Sequence, residues 1–185
     1  EPVIHVCASS EVFGRVPKEF LPIDEEVTFH PASPYAISKV GTDLIGRYYA
    51  EAYGLTIMTT RMFTHTGPRR GDVFAESTFA KQRAYYLLVT KNPTAGEYYN
   101  IGGTFSCTVK DMLDYLISQS TAENIQIETD PDRLRPIDAD LQVPNTKKFQ
   151  SHTGWVPEIS FEKTMNDLLN YWRERVSSGK EFLSR

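Results

Sequence analysis

The sequence predicts an α/β fold built on a parallel sheet, and three observations carry the prediction. A short β-branched apolar run opens the chain, a helical pattern bounded by a proline and a glycine follows, and a second β-branched run comes directly after it. Strand, helix, strand is the order of a βαβ crossover, which joins parallel neighbours.

The first run, residues 3–8 (Val-Ile-His-Val-Cys-Ala), is apolar on both alternations, as in a strand buried on both faces. A buried strand this close to residue 1, with no initiator Met and no preceding βα unit, leads to the expectation that the chain begins in the middle of a domain. A long loop follows, in which Pro17, Pro22, Pro31 and Pro34 oppose both helix and ladder pairing. From Tyr35 to Tyr53 the residues Ile37, Val40, Leu44, Ile45, Tyr48 and Tyr49 recur at helical spacing, with Pro34 at the first turn and Gly54 as the stop. Leu55–Thr60 is the second strand, and Thr64–Asp72, with Gly67, Pro68 and Gly71, reads as a loop at its carboxyl end. Phe74–Lys91 fits one helix, ended by Asn92-Pro93 and Gly96, and Tyr98–Ile101 is a short strand. Thr108-Val-Lys-Asp111 is a capping-box variant that opens a helix to Ser118. Ile125–Glu128 reads as a further strand, Thr146–His152 as a short helix and Phe161–Val176 as an amphipathic helix before a polar tail.

The 185 residues are 40% hydrophobic and 24% charged, the composition of a soluble globular protein. A net charge of −4 and a pI near 5.6, without a run of Lys or Arg, argue against a surface for nucleic acid or anionic lipid. No stretch approaches the roughly 18–20 apolar residues of a membrane helix and no signal-peptide pattern opens the chain, so a cytoplasmic protein is expected. Cys7 and Cys107 are too few for a disulfide framework and read as buried free thiols. No metal site is assigned.

Open parallel sheets bind ligands at the carboxyl ends of their strands, which directs attention to residues 9–14 and 63–72. Tyr35-Ala-Ile-Ser-Lys39 puts a phenol and an ammonium one helical turn apart. A fixed positive charge favours phenolate over phenol, which would suit Tyr35 to acid–base work. The same spacing also describes a packed aromatic beside a solvated charge. Ser9-Ser10-Glu11 lies just past the first strand, where hydroxyls can hold a substrate oxygen and a carboxylate can move a proton; as polar turn residues before a Pro-rich loop they have an equally ordinary explanation. Arg70 stands beside a Gly-containing turn, a setting that suits phosphate.

Several motifs together resemble the extended short-chain dehydrogenase/reductases of the NAD-dependent epimerase/dehydratase family, on its GDP-mannose 4,6-dehydratase and GDP-4-keto-6-deoxymannose reductase branches. They are Ala8-Ser-Ser-Glu-Val-Phe-Gly14, Ser33-Pro-Tyr-Ala-Ile-Ser-Lys39, Arg61-Met-Phe-Thr-His-Thr-Gly-Pro-Arg-Arg-Gly71, Tyr99-Asn-Ile-Gly102, Leu134-Arg-Pro136 and Thr153-Gly-Trp155. The resemblance implies the C-terminal half of a Rossmann-type parallel sheet domain plus a small α/β substrate-binding domain, with a division at 1–102 and 103–185. It implies that Ser9, Glu11, Tyr35 and Lys39 are catalytic: Glu11 removes the sugar C5 proton, Tyr35 takes the 4-hydroxyl proton, and Lys39 holds the nicotinamide ribose. Tyr35, Lys39, His65 and Arg70 then contact NADP or NAD, and Ser10, Thr64 and Arg135 contact a nucleotide sugar, with a GDP-hexose expected. His65 as a capped loop histidine, and Arg70 and Arg135 as solvated arginines, are the alternatives. Relatives use the helix of the Tyr/Lys pair in a dimer interface, so a homodimer or homotetramer is expected; Ile45, Tyr48 and Tyr49 suit such a face and suit a core equally.

The sequence departs from the family at three places. The Gly-rich phosphate loop of the first βα unit is absent from these residues. At Lys81-Gln82-Arg83 relatives carry a further stretch, which leads to the expectation of a missing segment at 82/83 and of a Phe74–Lys91 helix whose continuity is an artefact of that join. Thr64 replaces the usual Asn and offers fewer hydrogen bonds. Arg69-Arg70-Gly71 favours the dehydratase, whereas Phe79-Ala-Lys-Gln82 and the Arg135 segment resemble the reductase. The expected function is a GDP-mannose 4,6-dehydratase working by internal hydride transfer through NAD(P). A reductase or epimerase of the same fold, and an inactive sugar-nucleotide binding fragment, are the alternatives.

Overall fold

The structure, a computed structural model, describes residues 2–64, 78–103, 105–131 and 141–179, the side chains of 78–82 excepted. Three parallel strands form one sheet in the order β1 (Ile4–Cys7), β2 (Ile57–Met62), β3 (Tyr98–Ile101). Ile4 pairs with Ile57 and Cys7 with Thr60, while Thr59 pairs with Tyr98 and Met62 with Ile101. The helices are α1 (Pro34–Tyr53), α2 (Thr78–Thr90), α3 (Val109–Ser118), α4 (Lys147–Thr153) and α5 (Phe161–Ser177). The described residues fall into two compact units, 2–64, 81–103 and 141–157 in one, and 78–80, 105–131 and 158–179 in the other.

The sheet unit explains its own local structure. β2 has a strand on either side and is buried from Ile57 to Arg61. β1 has one neighbour among the described residues, so Ile4 is 39% exposed and the expectation of a strand buried on both faces is corrected. Cys7 is exposed and Cys107 half-buried, so both thiols are free but neither is buried as expected.

α1 begins where Ser33 Oγ accepts the Ala36 N–H at 3.1 Å and Pro34 presets the first turn. It ends where Gly54, at φ +66°, returns its N–H to the Ala50 carbonyl. Its buried residues are Ala36, Asp43, Gly46 and Ala50. A Cβ on Gly46 would lie 3.2 Å from Thr59 Oγ1 and Val6 Cγ2, so the missing side chain lets the helix lie close on the sheet. The periodic residues Ile37, Leu44, Ile45, Tyr48 and Tyr49 are exposed, which removes core packing within the described residues as their explanation.

One apolar cluster joins Met58, Tyr99 and Ile101 of the sheet to Ala84 and Leu88 of α2 and to Phe149 and Trp155. A second holds Val12, Phe13, Ile23 and Phe63. Burying each large side chain here contributes on the order of 1.5–3 kcal/mol. Within the first cluster Tyr99 Oη donates to His152 Nδ1 at 2.8 Å, while His152 Nε2 lies 2.7 Å from the Lys91 carbonyl. Burial pushes the Tyr99 phenol up to about 12. The Pro-rich loop contains two short 3-10 turns, Ser10–Phe13 and Lys18–Phe20. Ile23 pairs in parallel with Pro144, its N–H reaching the Val143 carbonyl at 2.8 Å and its carbonyl accepting from Asn145 at 2.7 Å.

In the other unit α3 carries the full capping box between Thr108 and Asp111, and α5 starts from Ser160. The rings of Phe105 and Phe161 stack at 4.8 Å, and Asn166 donates to Tyr115 Oη at 3.1 Å. The strand expected at Ile125–Glu128 is corrected: these residues pair with no strand among those described, and Ile125 and Ile127 are 45% and 60% exposed. β-branched composition favours an extended chain but does not supply a ladder partner. The backbone of α2 is continuous through Lys81, Gln82 and Arg83, and Phe74–Ser77 lie outside the described residues. No helix among the described residues is long and apolar enough to cross a membrane.

Candidate active site

β1 ends at Cys7, and the chain turns at once. Ser9 caps the Ser10–Phe13 turn, its Oγ accepting the Glu11 N–H at 3.3 Å. Val12 and Phe13 are fully buried and pin the turn from below. Gly14 closes it at φ +56° with its N–H on the Glu11 carbonyl, and a Cβ there would stand 1.9 Å from the His30 carbonyl oxygen, so no other residue fits. Ser9 and Ser10 are buried and Glu11 is half-buried.

Lys39 of α1 reaches the same strand end. Its Nζ donates to the Cys7 carbonyl at 2.9 Å and lies 5.8 Å from the centroid of the Tyr35 ring, which is 54% exposed. The ammonium is therefore held beside the phenol by the backbone two residues before Ser9. An ammonium and a phenol at the carboxyl end of a parallel strand form a donor set that fits sugar hydroxyls, including those of a nicotinamide ribose.

Of the residues singled out from the sequence, Ser9, Ser10 and Glu11 share one turn, and Tyr35 and Lys39 share one helix tied to it. Thr64 is exposed, two residues past the end of β2. His65, Arg70 and Arg135 lie outside the described residues.

A buried polar network beneath the site was not foreseen. Arg61 of β2 is fully buried; its Nε donates to Asp43 Oδ2 at 2.8 Å, one terminal nitrogen to Asp43 Oδ1 at 3.2 Å, and the other to the Glu25 carbonyl at 2.7 Å. The rings of Phe13, Phe29 and Tyr98 surround its guanidinium at 5.5, 4.7 and 4.6 Å. Glu25 is buried and accepts the Asn100 N–H at 2.8 Å. Burial pushes its carboxyl above the usual carboxylate range, against the Asn100 bond and the positive charges of Lys148 and Arg61. The available signal was an arginine inside a β-branched strand, since Arg is almost never fully buried unless paired.

A sequence profile of the GDP-mannose 4,6 dehydratase family matches residues 2–101. The chain belongs to that family. It is 25% identical to GDP-6-deoxy-D-mannose reductase of Pseudomonas aeruginosa, over 91% of this chain and 65% of that one. It is 29% identical to GDP-mannose 4,6 dehydratase 1 of Arabidopsis thaliana, over 89% of this chain and 53% of that one. The chain thus spans between about half and two thirds of these relatives' lengths. Among solved structures, RMD from Pseudomonas aeruginosa complexed with NADPH superposes with a TM-score of 0.80 at 23% identity, over 95% of this chain and 68% of that one. dTDP-glucose 4,6-dehydratase from Bacillus anthracis in complex with NAD gives 0.78 at 21% identity, over 95% and 63%. These likenesses establish the family's Rossmann-type α/β fold. The turn at Ser9–Gly14, α1 and β2 all fall within the matched 2–101.

Proposed function

We propose that this chain carries the proton-transfer machinery of a GDP-mannose 4,6-dehydratase, active in a protein that joins it to a dinucleotide phosphate-binding unit. The observation that carries the reading is the adjacency of Glu11 and Ser9, in one turn, to the strand end that anchors Lys39 beside Tyr35. The 4,6 dehydratase profile over these residues supports it. Tyr35 and Lys39 would hold the nicotinamide ribose, with His65 and Arg70 as further cofactor contacts. NADPH and NAD in the solved RMD and dTDP-glucose 4,6-dehydratase support NADP or NAD here.

When bound, NAD(P) supplies hydride acceptance at C4 of the hexose and hydride return at C6. The protein's residues move the protons. Ser9 hydrogen-bonds the 4-oxygen while Tyr35 takes its proton, and the Lys39 ammonium steadies the phenolate. The new 4-ketone acidifies C5, Glu11 removes that proton, and the C6–O bond breaks. Of the two protons collected, one leaves with the C6 hydroxide as water and the other returns to C5 as C6 is reduced. No cofactor is consumed. Ser10, Thr64 and Arg135 are assigned to the nucleotide sugar.

The second reading is a reductase on the same fold, favoured by the alignment of GDP-6-deoxy-D-mannose reductase over 91% of the chain. Cofactor balance separates the two. A dehydratase converts GDP-mannose to the 6-deoxy-4-keto sugar with no net change in reduced cofactor, whereas a reductase leaves GDP-mannose untouched and consumes one NAD(P)H per keto sugar. Absence of both reactions from the protein carrying the phosphate-binding unit would refute the enzymatic reading.

A further inference from the structure

The buried face of α1 poses a problem that the rest of the molecule answers. Three of its four buried residues are Ala36, Gly46 and Ala50, which present almost no shape to the sheet. Apart from Val40, half-buried against the cluster of Val12, Phe13, Ile23 and Phe63, this small-residue face specifies close approach more than rotation about the helix axis. The site needs that rotation fixed, because each residue of an α-helix turns by about 100° and Tyr35 and Lys39 must face the Ser9–Glu11 turn.

Asp43 is the one long buried side chain of α1, and it lies on the Tyr35–Lys39 face, at i+8 and i+4 from them, about 12 Å along the axis from Tyr35 at 1.5 Å per residue. Its carboxylate meets the Arg61 fork through both oxygens, a planar two-bond geometry that resists rotation where a single contact would not. Arg61 is fixed in turn: its backbone belongs to central strand β2, its third bond reaches Glu25 of the Pro-rich loop, and Phe13 at the end of the Ser9–Glu11 turn lies against it. One guanidinium thus touches the helix with the proton-transfer pair, the turn with the acid–base group, and the sheet between them.

A buried ion pair is often no better for stability than apolar residues of equal volume, which leaves room for a role in geometry here. The geometry points to Arg61 and Asp43 as positioning residues: their bidentate pair sets the rotation of α1 and thereby holds Tyr35 and Lys39 against Ser9 and Glu11. Neither touches substrate. The inference rests on the proposed dehydratase reading for its kinetic consequence, but not for its geometric one.

The test compares the double variant Asp43→Leu/Arg61→Leu with Arg61→Lys in the complete enzyme. The apolar pair stays folded, melting somewhat lower because the Glu25 carbonyl loses its Arg61 donor. Measured well below that melting temperature, it lowers kcat for GDP-mannose by about 10- to 100-fold with KM little changed, the loss expected when reacting groups are misplaced by about 1 Å. Lysine keeps the charge and loses the fork, so Arg61→Lys gives a loss in the same direction. A purely structural role would make activity follow stability. A folded double variant with unaltered kcat overturns the proposal; if that variant does not fold, unaltered kcat in Arg61→Lys does so. Independently of any substrate, NOEs from the Lys39 side chain to Cys7 and Ala8 in the complete enzyme weaken in Arg61→Lys, and their persistence at full strength contradicts positioning. If the unsubstituted enzyme does not act on GDP-mannose, the substrate reading has failed and the NOEs alone decide.

Discussion

Glu25 is a buried carboxyl that accepts a backbone N–H and sits near two positive charges, yet the net effect is a raised pKa because desolvation outweighs them. The sign of its linkage follows. A carboxyl whose folded pKa lies above its unfolded value contributes fully below the unfolded value, near the ordinary 4.5, and that contribution is lost as pH rises through the folded one. Glu25→Gln keeps an acceptor for Asn100 and removes the charge, so its melting temperature relative to the parent rises as pH goes from 4 toward 7; parallel melting curves would contradict the assignment. Glu25 was not legible in the sequence, where it is one acid among Asp24-Glu25-Glu26. Only the fold distinguishes it, by burying it against Asn100, 75 residues away. Asp43 and Arg61 escaped notice for the same reason, their partnership spanning 18 positions. Tyr35 and Lys39 were legible because their partnership is local to one helical turn and because surrounding motifs supplied the context that spacing alone does not.

Where a boundary depends on local chemistry, the elements matched expectation. α1 starts at Pro34 and stops at Gly54 because capping hydroxyl, proline and left-handed glycine act within a few residues. Ile125–Glu128 failed as a strand because pairing depends on a neighbour that no short window contains. The Ser9–Gly14 turn gives a prediction at this scale. Gly54→Ala, at φ +66° with nothing within 4 Å of the new Cβ, should cost about 1–2 kcal/mol of left-handed strain. Gly14→Ala sits at φ +56° and ψ −130°, outside the left-handed helical well that Gly54 occupies and costlier still for a residue with a Cβ, and it also meets a carbonyl oxygen 1.9 Å away, so its urea midpoint should fall clearly further. Equal losses at the two glycines would show that the turn beneath Glu11 yields more readily than this packing allows.

For the whole molecule, the exposed face of α1 bears on assembly. Ile37, Ile45 and Tyr48 are 60%, 56% and 57% exposed, and the unfilled space at Gly41 leaves room for a partner's close approach. We expect two copies to pack α1 against α1 about a two-fold axis, so that sedimentation gives a dimer and Ile45→Lys/Tyr48→Glu gives a monomer. A parent that sediments as a monomer, or a variant that stays dimeric, would contradict this. The fold class was readable from strand, helix and strand order, but the exposure of this face was not, because periodicity reports an apolar stripe without saying what covers it. The account as a whole rests on Glu11 as the base at C5. The measurement that tests it most directly is turnover of GDP-mannose in deuterated water by the complete enzyme and its Glu11→Gln variant. The account predicts deuterium at C5 of the 6-deoxy-4-keto product from the parent and no dehydrated product from the variant. Dehydration with C5 deuteration retained in Glu11→Gln would contradict it.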